Sequence, residues 1–158
     1  MKLKTPRPHQ KASIGALETA PIGQIILPTG TGKSLIQAHS IVNNILNSNV
    51  PKVYAILSPR ILLSNQLLDD VREHLLGHKI SAQYLMVHSG GKHVSNEQKL
   101  LEKQVTGQYR ELKSTTSKNV IKEEYERAQR EGVPLVIAGT YHSASKIKNA
   151  HIPVEILY

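Results

Sequence analysis

Leu27-Pro28-Thr29-Gly30-Thr31-Gly32-Lys33-Ser34 places two glycines in a short turn and follows them with a lysine and a hydroxyl. Without a Cβ, Gly30 and Gly32 can take backbone conformations closed to other residues and point successive N–H groups at one anion. A helix starting directly after the turn adds its positive end at the same point. The stretch reads as a phosphate cradle: Thr29, Gly30, Thr31 and Gly32 form the loop, Lys33 reaches the β and γ phosphates, and Ser34 ligates Mg²⁺. Leu27 stands where the general pattern has Gly or Ala.

The flanks predict a strand before the cradle and a helix after it. Gly23-Gln24-Ile25-Ile26-Leu27 reads as a short buried strand, and Ala38, Ile41, Val42, Ile45 and Leu46 recur at helical spacing within an expected helix over 34–47. Upstream, Pro6 to Glu18 predicts a first helix, with Thr5 as its N-cap and Pro6 in the first turn.

Downstream, Val53-Tyr54-Ala55-Ile56-Leu57 is a continuous apolar run ending at Ser58-Pro59, the pattern of a strand covered on both faces. A helix is expected from Ile61 to Leu76, with Leu63, Leu67, Val71 and Leu75 on one stripe, and a third strand from Ala82 to Val87. Strand, helix, strand in this order makes a βαβ unit with a right-handed crossover.

Residues 92–131 are rich in Lys, Glu and Gln. Ser95 with Gln98 forms a capping box, and Leu101, Val105 and Leu112 share a helical face that Gly107 interrupts. Ser114 to Lys118 reads as a flexible loop, and a second polar helix over 119–131 ends at Gly132. A buried strand is then expected at 134–138 and, closing the chain, a strand at 154–158.

At 158 residues the chain fits one domain, which buries about 70% of the surface its unfolded form exposes. With no Phe or Trp the core must be Leu, Ile and Val, which suits a parallel sheet. The absence of Cys excludes disulfides and thiolate metal sites, and the eight histidines have no metal-site spacing. No apolar run approaches the roughly 20 residues needed to cross a bilayer, so a soluble, cytoplasmic chain with no membrane partner is expected. The net charge is +8, and residues 1–60 carry seven Lys or Arg against the single acid Glu18. That asymmetry favours a polyanionic partner, nucleic acid first.

With these segments in order, the sequence resembles the first RecA-like domain of superfamily 2 helicases and DNA translocases, in the DEAD/DEAH-like group that includes restriction-enzyme motor subunits. The cradle resembles motif I. Arg7-Pro8-His9-Gln10 resembles the adenine-reading element, whose glutamine amide supplies the donor and acceptor that the adenine edge requires. Ser58-Pro59-Arg60 with Leu63 and Gln66 is similar to motif Ia, and Gly139-Thr140-Tyr141-His142-Ser143 to a later motif ending in a Thr-Tyr-x-Ser turn.

The resemblance implies a three-layer α/β domain with a mostly parallel sheet. It implies ATP and Mg²⁺ as cofactors, bound by Arg7, Gln10, Thr29, Gly30, Thr31, Gly32, Lys33 and Ser34, with Lys33 also catalytic. Pro59, Arg60, Gln66, Gly90, Thr140, Tyr141 and Ser143 would hold a nucleic-acid strand, DNA ahead of RNA, by phosphate contacts that position without reading sequence.

The sequence departs from the family in having no Asp-Glu pair to organise Mg²⁺ and the attacking water. It also lacks the Ser-Ala-Thr coupling element and a second RecA-like domain with its arginine finger. The chain is therefore expected to be a partial N-terminal domain, incomplete at its C-terminal end, that binds more than it catalyses. A small P-loop phosphotransferase and a non-catalytic nucleic-acid-binding module remain the alternatives.

Overall fold

A computed structural model describes residues 5–20, 22–28, 30–89 and 95–158. In chain order its elements are α1 (Pro8–Thr19), α2 (Lys33–Leu46), β1 (Val53–Ser58), α3 (Ile61–Gly77), β2 (Gln83–Val87), α4 (Asn96–Thr106), β3 (Lys113–Thr115), α5 (Lys118–Glu131), β4 (Leu135–Thr140), a single 3₁₀ turn (Tyr141–Ser143), α6 (Ala144–Asn149) and β5 (Val154–Leu157).

The five strands form one sheet in the order β3-β2-β4-β1-β5, and every pairing is parallel. The strands β1, β2 and β4 are almost wholly buried and mostly apolar, with a polar residue only at one end of each, because helices cover both faces. Alternate residues divide the core in two. Tyr54, Ile56, Tyr84, Met86, Val136 and Ala138 meet Ala38, Ile41 and Val42 of α2 and Leu68, Val71 and Leu75 of α3. Val53, Ala55, Leu85, Val87, Leu135 and Ile137 meet Ile121 and Ala128 of α5 and Ile147 of α6. This is the expected three-layer architecture, with a sheet that is parallel throughout.

Several local expectations are corrected. The first helix begins at Pro8 with Arg7 as its N-cap, because Pro8 takes the first-turn position assigned to Pro6. Residues 23–27 are not a strand of the sheet. Ile22 and Ile26 are 92% and 82% exposed, and Gly23 and Ile25 line a cleft facing β5 without joining its ladder. The flanking prolines at 21 and 28 have no N–H to donate, so the run available for pairing is very short.

The helix begun by the Ser95–Gln98 box ends at Gly107 in the left-handed conformation (φ +83°) and does not continue to Leu112. Residues 113–115, placed in or beside a loop by the sequence reading, pair with β2 as an edge strand. Its three polar residues carry no alternation to reveal it, and the ladder with β2 supplies what local propensity lacks. On α3 the buried stripe is Ser64, Leu68, Val71 and Leu75, while Leu63 is exposed.

A buried ion pair fixes the polar insertion: the Arg72 guanidinium on α3 donates to the Glu102 carboxylate on α4 through Nε (2.9 Å) and its second terminal nitrogen. The same guanidinium lies over the rings of Tyr84 and Tyr109.

Where α2 and α3 pack, the His74 ring is buried edge-on to His39, with centroids 4.1 Å apart, and the His78 ring is 5.3 Å from it. Burial first, then the neighbouring His39 and His78, lowers the His74 pKa from 6.5 to about 4. At neutral pH the ring is uncharged in both folded and unfolded chains. As the pH falls below 6.5 the unfolded chain takes up a proton that the folded chain refuses, so stability declines until about pH 4. Urea denaturation between pH 7 and 4 should show this decline, and His74→Asn should flatten it.

Candidate nucleotide site and nucleic-acid interface

The phosphate turn leads directly into α2. Gly30 and Gly32 both have positive φ, +81° and +80°, which is the left-handed geometry that the cradle reading required. Gly32 is the N-cap and Lys33 opens the helix, so the N–H groups of Lys33 and Ser34 have no partners within the helix, while that of Leu35 already donates to the Gly32 carbonyl at 3.1 Å. The exposed Lys33 Nζ donates to the Leu27 carbonyl at 2.8 Å, and half-buried Ser34 follows it. The Thr31 hydroxyl closes the turn on the Pro28 carbonyl at 2.7 Å. Thr29 lies outside the described residues.

The helix α1 brings the second half of this site. Asn43 donates to Glu18 at 2.8 Å, holding α1 beside α2, and Gln10 is buried against the turn. The Gln10 amide nitrogen donates to the Thr31 carbonyl at 2.8 Å, and its oxygen accepts from the Arg7 backbone N–H at 2.7 Å. Both functions of the amide are thus committed to backbone, and reading an adenine edge would require Gln10 to exchange these bonds. This set of donors fits a polyphosphate: one ammonium, one hydroxyl and a helix start converge on a turn of left-handed glycines.

The second group of residues lies where β1 and β4 end. Parallel register pairs Ser58 with Thr140, so the Pro59–Arg60 turn and the Tyr141–Ser143 turn emerge side by side at the carboxyl edge of the sheet. Ligands of open α/β sheets bind at this edge. Pro59, Arg60 and Gln66 are exposed, and Tyr141 is 60% exposed. Ser143 is buried, with its hydroxyl 3.0 Å from that of Thr140, so it shapes the turn from within. Gly139 allows the close approach, since a Cβ there would lie 3.3 Å from the Val87 carbonyl and 3.4 Å from Ser143. Gly90 lies outside the described residues.

Sequence reasoning missed the polar side chains beneath these turns. The Ser58 and Ser64 hydroxyls are 2.6 Å apart, and Ser64 reaches the Gly139 carbonyl at 2.7 Å. Farther along the edge, His88 meets Asn65 at 3.2 Å and Ser114 donates to the His88 carbonyl at 2.9 Å. The one available signal for Ser64 was its helical phase with Leu68, Val71 and Leu75. Among the described residues, no three His, Cys, Asp or Glu side chains could together hold a metal ion. None of the described helices is long and apolar enough to cross a membrane.

The sequence profile described as DEAD/DEAH box helicase matches residues 7–137, which include both groups except the turn after β4. The chain belongs to the DEAD/DEAH box helicase family. Among solved structures, a nuclease-deletion mutant of the Type ISP restriction-modification enzyme LlaGI, in complex with a DNA substrate mimic, is similar with a TM-score of 0.73 and 20% identity. The match covers 98% of this helicase-family chain and 15% of that one, so it establishes a shared fold with a small part of a larger protein. The UvsW helicase from bacteriophage T4 is more distant, with a TM-score of 0.47 and 16% identity over 99% of this chain and 61% of that one. No curated protein sequence matches well enough to count as a relative.

Two glycine substitutions separate backbone strain from crowding in the helicase-family turn. Alanine at either position faces an unfavourable left-handed φ, costing about 1–2 kcal/mol. At Gly32 the added Cβ would also lie 2.5 Å from Gln10 Nε2, whereas at Gly30 it meets nothing within 4 Å. Thermal melting should fall by about 3–6 °C for Gly30→Ala and further for Gly32→Ala.

Proposed function

We propose that this chain is the ATP-binding and nucleic-acid-binding portion of an ATP-dependent helicase or DNA translocase. The observation that carries the reading is the joining of a turn with two left-handed glycines to a helix opening on Lys33. Bound ATP with Mg²⁺ would supply the phosphoanhydride whose hydrolysis drives movement in such motors.

Each residue group has a task in this reading. Lys33 releases the Leu27 carbonyl and neutralises charge on the β and γ phosphates, while the α2 N–H groups and the turn of Gly30, Thr31 and Gly32 position them, with Thr29 as a further member of the loop. Ser34 offers a hydroxyl to Mg²⁺. Gln10, presented by the Arg7 N-cap, exchanges its bond to Thr31 for the adenine edge, so nucleotide arrival is felt at the turn. At the other edge, Pro59, Arg60, Gln66, Thr140 and Tyr141 hold one strand, with Ser143 shaping the turn and Gly90 as a further member of the set. Sequence-independent phosphate contacts suit a motor that steps along any sequence.

The coverage of the LlaGI chain agrees with a larger parent, in which a second RecA-like domain would complete the catalytic site. Residues 1–158 contain no Asp-Glu pair, so this chain by itself should bind nucleotide without nucleic-acid-stimulated ATPase activity.

Titration with a fluorescent ATP analogue tests the nucleotide half. Lys33→Ala should weaken affinity by about 10- to 100-fold, the worth of a charged hydrogen bond. Equal affinity in mutant and parent would remove the assignment. ATP should also bind more tightly than GTP, with Gln10→Ala narrowing the gap.

Binding of a fluorescent single-stranded oligonucleotide across a salt series tests the other half. Affinity should fall steeply with salt and vary little with sequence, and Arg60→Ala should reduce the log–log slope by about 0.7. Salt-insensitive binding would sink the phosphate-track reading.

A further inference from the structure

The serines beneath the two edge turns have fewer hydrogens than contacts. Ser58 Oγ lies 2.9 Å from the Arg60 carbonyl and 2.6 Å from Ser64 Oγ, and Ser64 Oγ lies 2.7 Å from the Gly139 carbonyl. Ser64 Oγ also lies 3.4 Å from the Arg60 carbonyl, so the four contacts would need four hydrogens, but two hydroxyls have two. Both serines are buried, at 1% and 0% exposure, so bulk water does not make up the shortfall.

Two arrangements keep the 2.6 Å contact between the hydroxyls as a hydrogen bond and send the second hydrogen to a carbonyl within 2.9 Å. In one, Ser58 donates to Ser64, which donates to Gly139, and the β4 end is held. In the other, Ser64 donates to Ser58, which donates to Arg60, and the hold passes to the turn after β1. The first leaves the Arg60 carbonyl bonded all the same, because it already accepts from the Ser64 backbone N–H at 3.0 Å. The hydroxyl pair therefore rests on Gly139, and a displacement of the Arg60 turn that draws the hydrogen the other way loosens the residue before Thr140. Thr140 is tied in turn to Ser143.

We propose that Ser64 is a positioning residue that couples the Arg60 turn to the Thr140 turn through this hydrogen-deficient relay, so that the two turns grip a nucleic-acid strand as one unit. The inference rests on the nucleic-acid reading of these turns and adds to it a mechanical link between them. Ser64 lies on the helix α3 beneath the two turns and is itself fully buried.

A double-mutant cycle on oligonucleotide affinity tests the link. In the parent chain, the factors by which Arg60→Ala and Thr140→Ala weaken binding should fail to multiply: the double variant should bind at least about threefold more tightly than their product predicts. In the Ser64→Ala background the factors should multiply to within about twofold. A residue that merely stabilised the fold would lower all the affinities and leave this departure intact.

Ser58→Ala provides a second background in which Ser64 keeps its bond to Gly139 while the short route to Arg60 through the Ser58 hydroxyl is removed, leaving only the 3.4 Å contact of Ser64 Oγ with that carbonyl, and it too should abolish the departure. Cooperative thermal melting checks that each background is folded, and Ser58→Ala decides the matter if Ser64→Ala does not fold. Factors that multiply in the parent, or a departure that survives in a folded Ser64→Ala or Ser58→Ala background, would overturn the coupling alone. Failure of the parent chain to bind any oligonucleotide would instead overturn the nucleic-acid reading, and the coupling with it.

Discussion

The parallel register between β1 and β4 is the constraint on which the rest of the molecule depends. It places Ser58 beside Thr140, and therefore determines that the turns after both strands leave the sheet at one level. It also sets the alternation that sends Tyr54 and Val136 toward α2 and α3 while Ala55 and Ile137 face α5 and α6. A slip of one residue would exchange these faces, burying each side chain against the wrong helix layer. The two core layers and the carboxyl edge are thus consequences of a single ladder.

The two residue groups differ in how their geometry is secured. The phosphate turn is held by the Thr31 hydroxyl, by Gln10 and by the start of α2. The turns after β1 and β4 stand on buried hydroxyls and on a glycine whose missing Cβ admits Ser143. An exchangeable set of bonds suits a site whose ligand would replace them, while a close-packed base suits one that must keep two turns aligned.

Much of the fold was legible because its signals are local. Continuous apolar runs revealed β1, β2 and β4, and Ser95 with Gln98 marked the start of α4 through a box that the structure forms. The left-handed turn was legible because few residues other than glycine tolerate its φ. What escaped depends on contacts distant in sequence. The strand β3 exists through its ladder with β2, and the commitment of Gln10 to Thr31 spans 21 residues. The run 23–27 shows the converse: a strand-like pattern does not guarantee a place in the sheet. Ser64 was concealed by its polarity, since a search for apolar periodicity passes over a hydroxyl in the buried phase.

The strand order also governs when the molecule can assemble. Although β1 and β2 follow one another along the chain, they never touch as neighbours in the sheet, because β4 lies between them. Val53 waits for Leu135 and Gln83 waits for the same residue. Of all the pairings, only that of β2 with β3 can close before β4 has been synthesised. On a ribosome, the apolar strands β1 and β2 would therefore emerge well ahead of the partner that covers their edges. Such long-range closure slows folding and leaves hydrophobic edges open in the interval, so the sequence order of this sheet places its greatest vulnerability during synthesis, before any ligand can act on the finished site.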